Sequence, residues 1–249
     1  FPSSSWAKVA NARVPECQTF GSIVLNNSVG GLNPYAVDAA ARDGAKVVWF
    51  PTVDTVAAIK KTEHIEEGGR RPFWLDVLLS IQADGMELKP VRILDDDGKL
   101  VPEAIEVLDV IARYNMILAT GHISVREAKE LIKVAKERKV EKIICTHVDS
   151  QLCFWDIEDQ IEYVKKYGVY MEHCSNSCTT GKVAWDVCLN QIKSIGCEHI
   201  IISTDLGQRK HKYPDEGLLD FANWMLENGI SETDVRKTIC ENPKQLLFG

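Results

Sequence analysis

Two short apolar runs, ILATGHIS at 117–124 and IICTHVDS at 143–150, each end on a histidine, and His147 follows His122 by 25 residues. The same step leads from His147 to Glu172. A period of that length is one strand plus one returning helix, so the repeat predicts successive βα units. Strands buried on both faces by such helices run parallel and read as continuous apolar segments rather than alternating ones.

The rest of the chain keeps the rhythm. Strands are predicted at 19–26 (TFGSIVLN), 45–52 (AKVVWFPT), 116–122, 142–147, 169–174 (VYMEHC) and 199–205 (HIIISTD). Between them lie helical segments with local start and stop signals. Asn33 is placed to cap a helix that has Pro34 at its first position and Gly44 past its end. Ser124 and Glu127 form a capping-box pair, Gly168 and Gly196 end two further helices, and Ser231 starts one near the C-terminus. Ser4 or Ser5 is expected to cap a first helix.

Two folds compete for this pattern. A doubly wound sheet carries a glycine-rich phosphate turn after an early strand, and none is present. A (β/α)8 barrel gathers its chemistry at the C-terminal ends of its strands. Here four successive strands end on His122, His147, Glu172 and Asp205, which selects the barrel, read as a single domain over 1–249. Counting back by two places Thr120, Cys145 and Ser203 on the inner face. On the fifth strand, Val169 and Met171 suit the helix-packing side. That choice turns Glu172 inward and leaves His173 in the following loop, whereas a slip of one residue turns His173 inward.

The stretch 55–101 breaks the rhythm. It contains HIEEGGRRPFW and VRILDDDGKLV, the second reading as a hairpin turning at Asp97-Gly98. An insertion there is expected to form a lid or part of a subunit interface, and a lid is favoured. DDDG is not a calcium loop, because its glycine falls too early.

Composition excludes several classes. With 45% hydrophobic and 26% charged residues and a net charge of −7, the chain can bury a large core but lacks the basic face that nucleic-acid binding needs. No apolar run reaches the length of a membrane span, and no signal-peptide pattern opens these residues, so a cytoplasmic protein is expected. The eight cysteines are scattered, which fits reduced thiols better than a disulfide framework. The Cys174–Cys178 pair has no second pair at zinc-site spacing and is read as buried thiols.

Neutral imidazole and carboxylate are ligands that zinc, manganese and iron accept. Asn26, Asn27 and Gly30-Gly31 follow the 19–26 strand on the same side, either as a plain turn or as backbone donors to an anionic substrate. RKHK at 209–212 follows Asp205 and is read as a solvated charge run ahead of a carboxylate clamp.

At this point the chain resembles the amidohydrolase superfamily of metal-dependent hydrolases, in a poorly characterised bacterial branch. The segments that carry the resemblance are SIVLNNSVGGLNP, AKVVWFPTVD, ILATGHIS, IICTHVDS, ISTDLGQ and ENPKQLLFG, in which Asn242 would cap a short closing helix. The resemblance implies His122 and His147 as metal ligands of the fifth and sixth barrel strands, with His147 alternatively holding substrate. It implies Asp205 as both a ligand and the catalytic base. Asn26, Thr52, Glu172 and His173 are the candidate substrate-binding residues. The cofactor expected is one divalent ion, zinc first, with manganese or iron as alternatives. The expected partner is a small-molecule substrate, possibly anionic, in a homo-oligomer.

The family's His-x-His of strand one and its strand-four lysine are missing, the latter pointing to a single ion. Taking 19–26 as barrel strand three leaves strands one and two absent. A trimmed N-terminus is expected, a naturally short relative without metal being the alternative. The edge of 19–26 is expected to need a cover from outside the chain. Three functions follow: hydrolysis of an amide, lactone or related bond, metal-dependent decarboxylation, or a non-catalytic barrel subunit.

Overall fold

The computed structural model describes residues 2–60, 73–151, 153–208 and 210–249. The chain divides into two compact units, Phe1–Lys142 and Ile143–Gly249. Among the described residues no helix is long and apolar enough to cross a membrane.

The first unit begins with α1 (Ser4–Arg13) and continues through β1 (Gly21–Val24), α2 (Pro34–Arg42), β2 (Ala45–Trp49), α3 (Val56–Lys60), α4 (Phe73–Ala83), α5 (Pro102–Arg113), β3 (Ile117–Ala119) and α6 (Val125–Glu137). β1, β2 and β3 pair in parallel in that order. Their register sets Ile23 beside Val48 and Val48 beside Leu118, and all three are 0% exposed. This apolar row is what the β-branched composition of the three runs builds, because strands covered on both faces bury every side chain they can.

The helix signals act as read. The Asn33 side chain accepts from the backbone N–H groups of Tyr35 and Ala36, and Ser124 and Glu127 bond reciprocally in a capping box. Leu94 and Leu100 form an antiparallel bridge around the Asp97-Gly98 turn, with Asp95 Oδ1 accepting from the Asp97 and Lys99 amides. The HIEEGGRR part of the insertion, including His64, lies outside the described residues.

Two expectations are corrected at the start of the chain. Ser4 and Ser5 lie inside α1, whose N-cap position is Ser3 with no side-chain capping bond. Ser3 instead works on β1: its N–H donates to the Ser22 carbonyl at 2.8 Å, and its Oγ accepts from the Ser22 N–H at 2.8 Å. The edge of β1 at Ser22 is therefore paired by this chain's own N-terminal segment, a role no periodicity announces. Gly21 allows the approach, since a Cβ there would lie 2.5 Å from the Ser4 Cα.

The second unit runs β4 (Ile143–Cys145), α7 (Ile157–Tyr167), β5 (Tyr170–Cys174), α8 (Ser175–Thr179), α9 (Trp185–Ile195), β6 (Ile200–Ser203), α10 (Pro214–Glu227), α11 (Glu232–Arg236) and α12 (Asn242–Phe248). β4, β5 and β6 are parallel neighbours. The six strands thus follow the order read from the sequence, three in each unit. Ile200 and Ile202 pack with Cys188, Ile192, Phe221 and Met225 into one apolar cluster. Trp185 and Trp224 extend it, their rings 4.6 Å apart. Gly168 ends α7 in the left-handed conformation, and Ser231 Oγ accepts from the Asp234 N–H at the start of α11.

Asn242 does not cap α12, whose N-cap position is Glu241. Its buried side-chain amide donates to the carbonyls of Cys197 and Ile200, at 2.9 and 2.6 Å, and so ties the C-terminal helix to the start of β6.

Candidate active site

The face of β5 and β6 away from the apolar cluster carries the polar chemistry of the second unit. Register pairs Glu172 with Ile201 and Cys174 with Ser203. Parallel partners share a face, so Glu172, Cys174 and Ser203 stand together while His173 and Ile202 point to the helix side. The inward turn of Glu172 agrees with the parity read from the sequence. The loop position expected for His173 does not: β5 extends through Cys174, which makes His173 a strand residue, 0% exposed, with Nδ1 2.9 Å from Asp149 Oδ2.

His147 reaches the Glu172 side from the turn after β4. Its Nδ1 lies 3.0 Å from Cys174 Sγ and 3.6 Å from Glu172 Oε2. Ser203 Oγ lies 2.8 Å from Cys174 Sγ and donates to Glu172 Oε1 at 3.0 Å. Glu172 Oε2 is buried with no hydrogen-bond partner among the described residues. Burial foremost, and the Glu172 charge next, hold the Cys174 thiol well above its ordinary value, the Ser203 contact offsetting part of the shift. As a thiol it is a poor nucleophile at neutral pH.

Asp205 follows β6 by two residues and is exposed; its Oδ2 accepts from the Asn176 side-chain amide at 3.1 Å. Its charge is among those that raise the Cys174 thiol, which sets it in the same electrostatic neighbourhood. Asn176 is held by its own N–H donating to the Thr204 carbonyl at 3.0 Å. The sequence marked Cys174 only as a buried thiol and gave Asn176 no role. The signal available for Cys174 was its place two residues after Glu172, hence on the same face. For Asn176, on α8, there was none.

In the first unit the predicted residues Asn26 and Thr52 meet each other. Asn26 Nδ2 donates to Thr52 Oγ1 and Asn26 Oδ1 accepts from the Thr52 N–H, both at 2.9 Å. Asp54, buried, accepts from the Asn27 N–H at 2.7 Å. This pairing clamps the turn after β1 to the turn after β2. His122 lies three residues past β3, its N–H donating to the Pro51 carbonyl at 2.9 Å. The turn that carries it needs Gly121: φ is +66°, and a Cβ would sit 2.2 Å from the Phe50 carbonyl oxygen.

The donor set of the second unit suits a borderline divalent cation. His147, Glu172 and Cys174 each offer one ligand atom, and the three atoms lie within 4.8 Å of one another. Imidazole, carboxylate and thiolate are all zinc ligands, and the unpartnered Glu172 oxygen is an acceptor in want of a positive partner.

Solved structures resemble this chain at low identity. An amidohydrolase from Pseudomonas aeruginosa aligns at 14% identity and a TM-score of 0.52, over 86% of this chain and 67% of that one. A mutant organophosphorus hydrolase from Deinococcus radiodurans aligns at 14% and 0.45, over 86% and 84%. An N-acetyl-D-glucosamine-6-phosphate deacetylase from Mycobacterium smegmatis aligns at 13% and 0.46, over 92% and 65%. Of these three, the first is close enough to show a common fold, shared with that amidohydrolase. No curated protein matches the chain in sequence. A family model matches residues 1–172, more than half of the 249 residues, and by that match the chain belongs to the family of unknown function DUF6282.

Proposed function

We propose that this chain is a metal-dependent hydrolase that cleaves an amide, lactone or related bond of a small molecule. The observation that carries the reading is the convergence of His147 Nδ1, from the turn after β4, with Cys174 Sγ and Glu172 Oε2 on one face of β5. His147, Glu172 and Cys174 would hold one cation, zinc before manganese or iron. When bound, such a cation supplies the positive charge that makes an attacking water acidic near neutral pH.

The residues around it have separate tasks. Ser203 holds Glu172 by a hydrogen bond to Oε1, which leaves Oε2 directed at His147. Asp205, exposed and oriented by Asn176, is suited to accept the proton of the water and return it to the leaving group. Its exposure gives the substrate a solvent-side approach. Eight free thiols fit a reducing compartment, and a cytoplasmic setting is part of the proposal.

The test is metal analysis of the purified protein together with hydrolysis of a panel of amides, lactones and esters. Glu172→Gln and Cys174→Ala are each expected to lose one bound metal ion per chain, and turnover with it. His122→Ala, assayed in the same way, tests the ligand role that the family resemblance implies for it. Full turnover in metal-stripped protein would overturn the reading, and carbon dioxide release without hydrolysis would replace it with a lyase.

A further inference from the structure

On the opposite face of β5 lies a second group of metal-binding side chains, separated from the first by the strand itself. Asp149 comes from the turn after β4, His173 from β5, Cys178 from α8 and Cys188 from α9. The ligand atoms of Asp149, Cys178 and Cys188 all lie within 4.8 Å of one another. His173 Nδ1 adds a fourth, 2.9 Å from Asp149 Oδ2 and 3.5 Å from Cys188 Sγ. A tetrahedral zinc, with bonds of about 2.0–2.3 Å, spaces its ligand atoms roughly 3.3–3.8 Å apart. The separations of His173 Nδ1 from Asp149 and Cys188 lie near that spacing, and closing all four ligands on one ion needs the His173 ring and the Cys178 thiol to move towards each other.

The setting is a poor one for these groups without a cation. Asp149 is 3% exposed, His173 0%, Cys178 3% and Cys188 0%. Asp149 Oδ1 has no hydrogen-bond partner among the described residues. Both cysteines belong to the apolar cluster beneath α9 and α10. A buried carboxylate oxygen left without a donor is destabilising, and a cation held between Asp149 and the two thiols would satisfy it.

The geometry points to a structural zinc site formed by Asp149, His173, Cys178 and Cys188, closed to solvent and joining β5, α8, α9 and the turn after β4. Four protein ligands leave no open position, which distinguishes it from a catalytic centre. Binding would release the two thiol protons to solvent and leave two thiolates, one carboxylate and a neutral imidazole around the ion.

Cobalt substitution of the full chain tests this, in a Cys174→Ala background that removes the thiol of the candidate active site. Added Co2+ is expected to give thiolate-to-metal charge-transfer absorption in Cys174→Ala protein, and added Zn2+ to raise its melting temperature. Cys174→Ala/Cys188→Ser is expected to lose the band, and Asp205→Asn to keep it. A Cys174→Ala protein that folds but gives no thiolate band with Co2+ overturns the proposal. So does mass-spectrometric detection of a Cys178–Cys188 disulfide in protein purified under reducing conditions. Because the primary readout comes from protein with all four proposed ligands intact, failure of a ligand variant to fold does not decide the matter.

Discussion

His147 and Asp205 hold the same backbone place: each lies two residues beyond the end of its strand, β4 or β6, and each has φ of +50°. Left-handed backbone costs a non-glycine residue roughly 1–2 kcal/mol, and such conformations concentrate where a side chain must be aimed. The turn brings the His147 ring to Glu172 and Cys174, and sets Asp205 against Asn176.

Asp205→Asn keeps a residue that tolerates this conformation and is expected to leave stability within about 1 kcal/mol of the original. Turnover should fall by a factor of ~10² or more, as for loss of a general base. Asp205→Val places a β-branched residue at the same φ and should lower stability by a further ~1–2 kcal/mol. Denaturant melts beside kinetics separate the two effects, and undiminished turnover in Asp205→Asn would remove Asp205 from the chemistry.

The thiols supply a second check. Cys17 and Cys240 are exposed and the other six cysteines are buried. Two thiols per chain should react rapidly with a thiol reagent in native protein, and eight after denaturation under reducing conditions.

The same burial sets a pH dependence. Cys197 is pushed up to about 11 from an ordinary 9.0, and Cys145 also rises, burial being the first cause in both cases. Below the ordinary value both folded and unfolded thiols are protonated, and their stabilising contribution is fully present. Above it the unfolded chain ionises first, so stability falls as pH rises from about 9 towards 11 and beyond. For a fully buried thiol the slope is about 1 kcal/mol per pH unit. Chemical denaturation from pH 8 to 10.5 should show midpoints moving steadily down; midpoints that hold constant would contradict the burial of these groups.

Gly121→Ala should cost ~2 kcal/mol or more, since the new methyl meets the Phe50 and Pro51 carbonyls at 2.2 and 2.6 Å and φ is +66°. Gly44→Ala is the matched control. Its φ is +99° but nothing lies within 4 Å of the added carbon, so a loss of about 1 kcal/mol is expected. Equal melting temperatures for the two variants would refute the packing argument for the His122 turn.

Asn242→Ala removes the donor to two carbonyls, those of Cys197 and Ile200, and should destabilise by roughly 2–4 kcal/mol. Asn242→Asp should be worse than alanine at neutral pH, because it turns a charged acceptor towards both carbonyls. An ordering with aspartate milder than alanine would show that the amide does not hold α12 to β6.

Element order and type were legible because their causes are local. Apolar runs, the Ser124–Glu127 box, the Asn33 cap and the Gly168 stop act within a few residues of themselves, and each appears in the fold as read. The sequence by itself also placed His147 and Asp205 at the C-terminal ends of their strands, since a side chain's place along a strand follows from counting; Glu172, read as a strand end, lies in the middle of β5. What it left open was which partner each side chain meets. Asn26 meets Thr52 across 26 positions, Ser3 meets Ser22 across 19, and Asn242 reaches Cys197 across 45. The setting of His173 was as hard to read: it lies on the strand, on the helix side beside Asp149 and Cys188, and not in the loop. Such contacts depend on how crossover helices set neighbouring strands in register. That register is fixed by the packing of the whole core, and no short window of residues contains it.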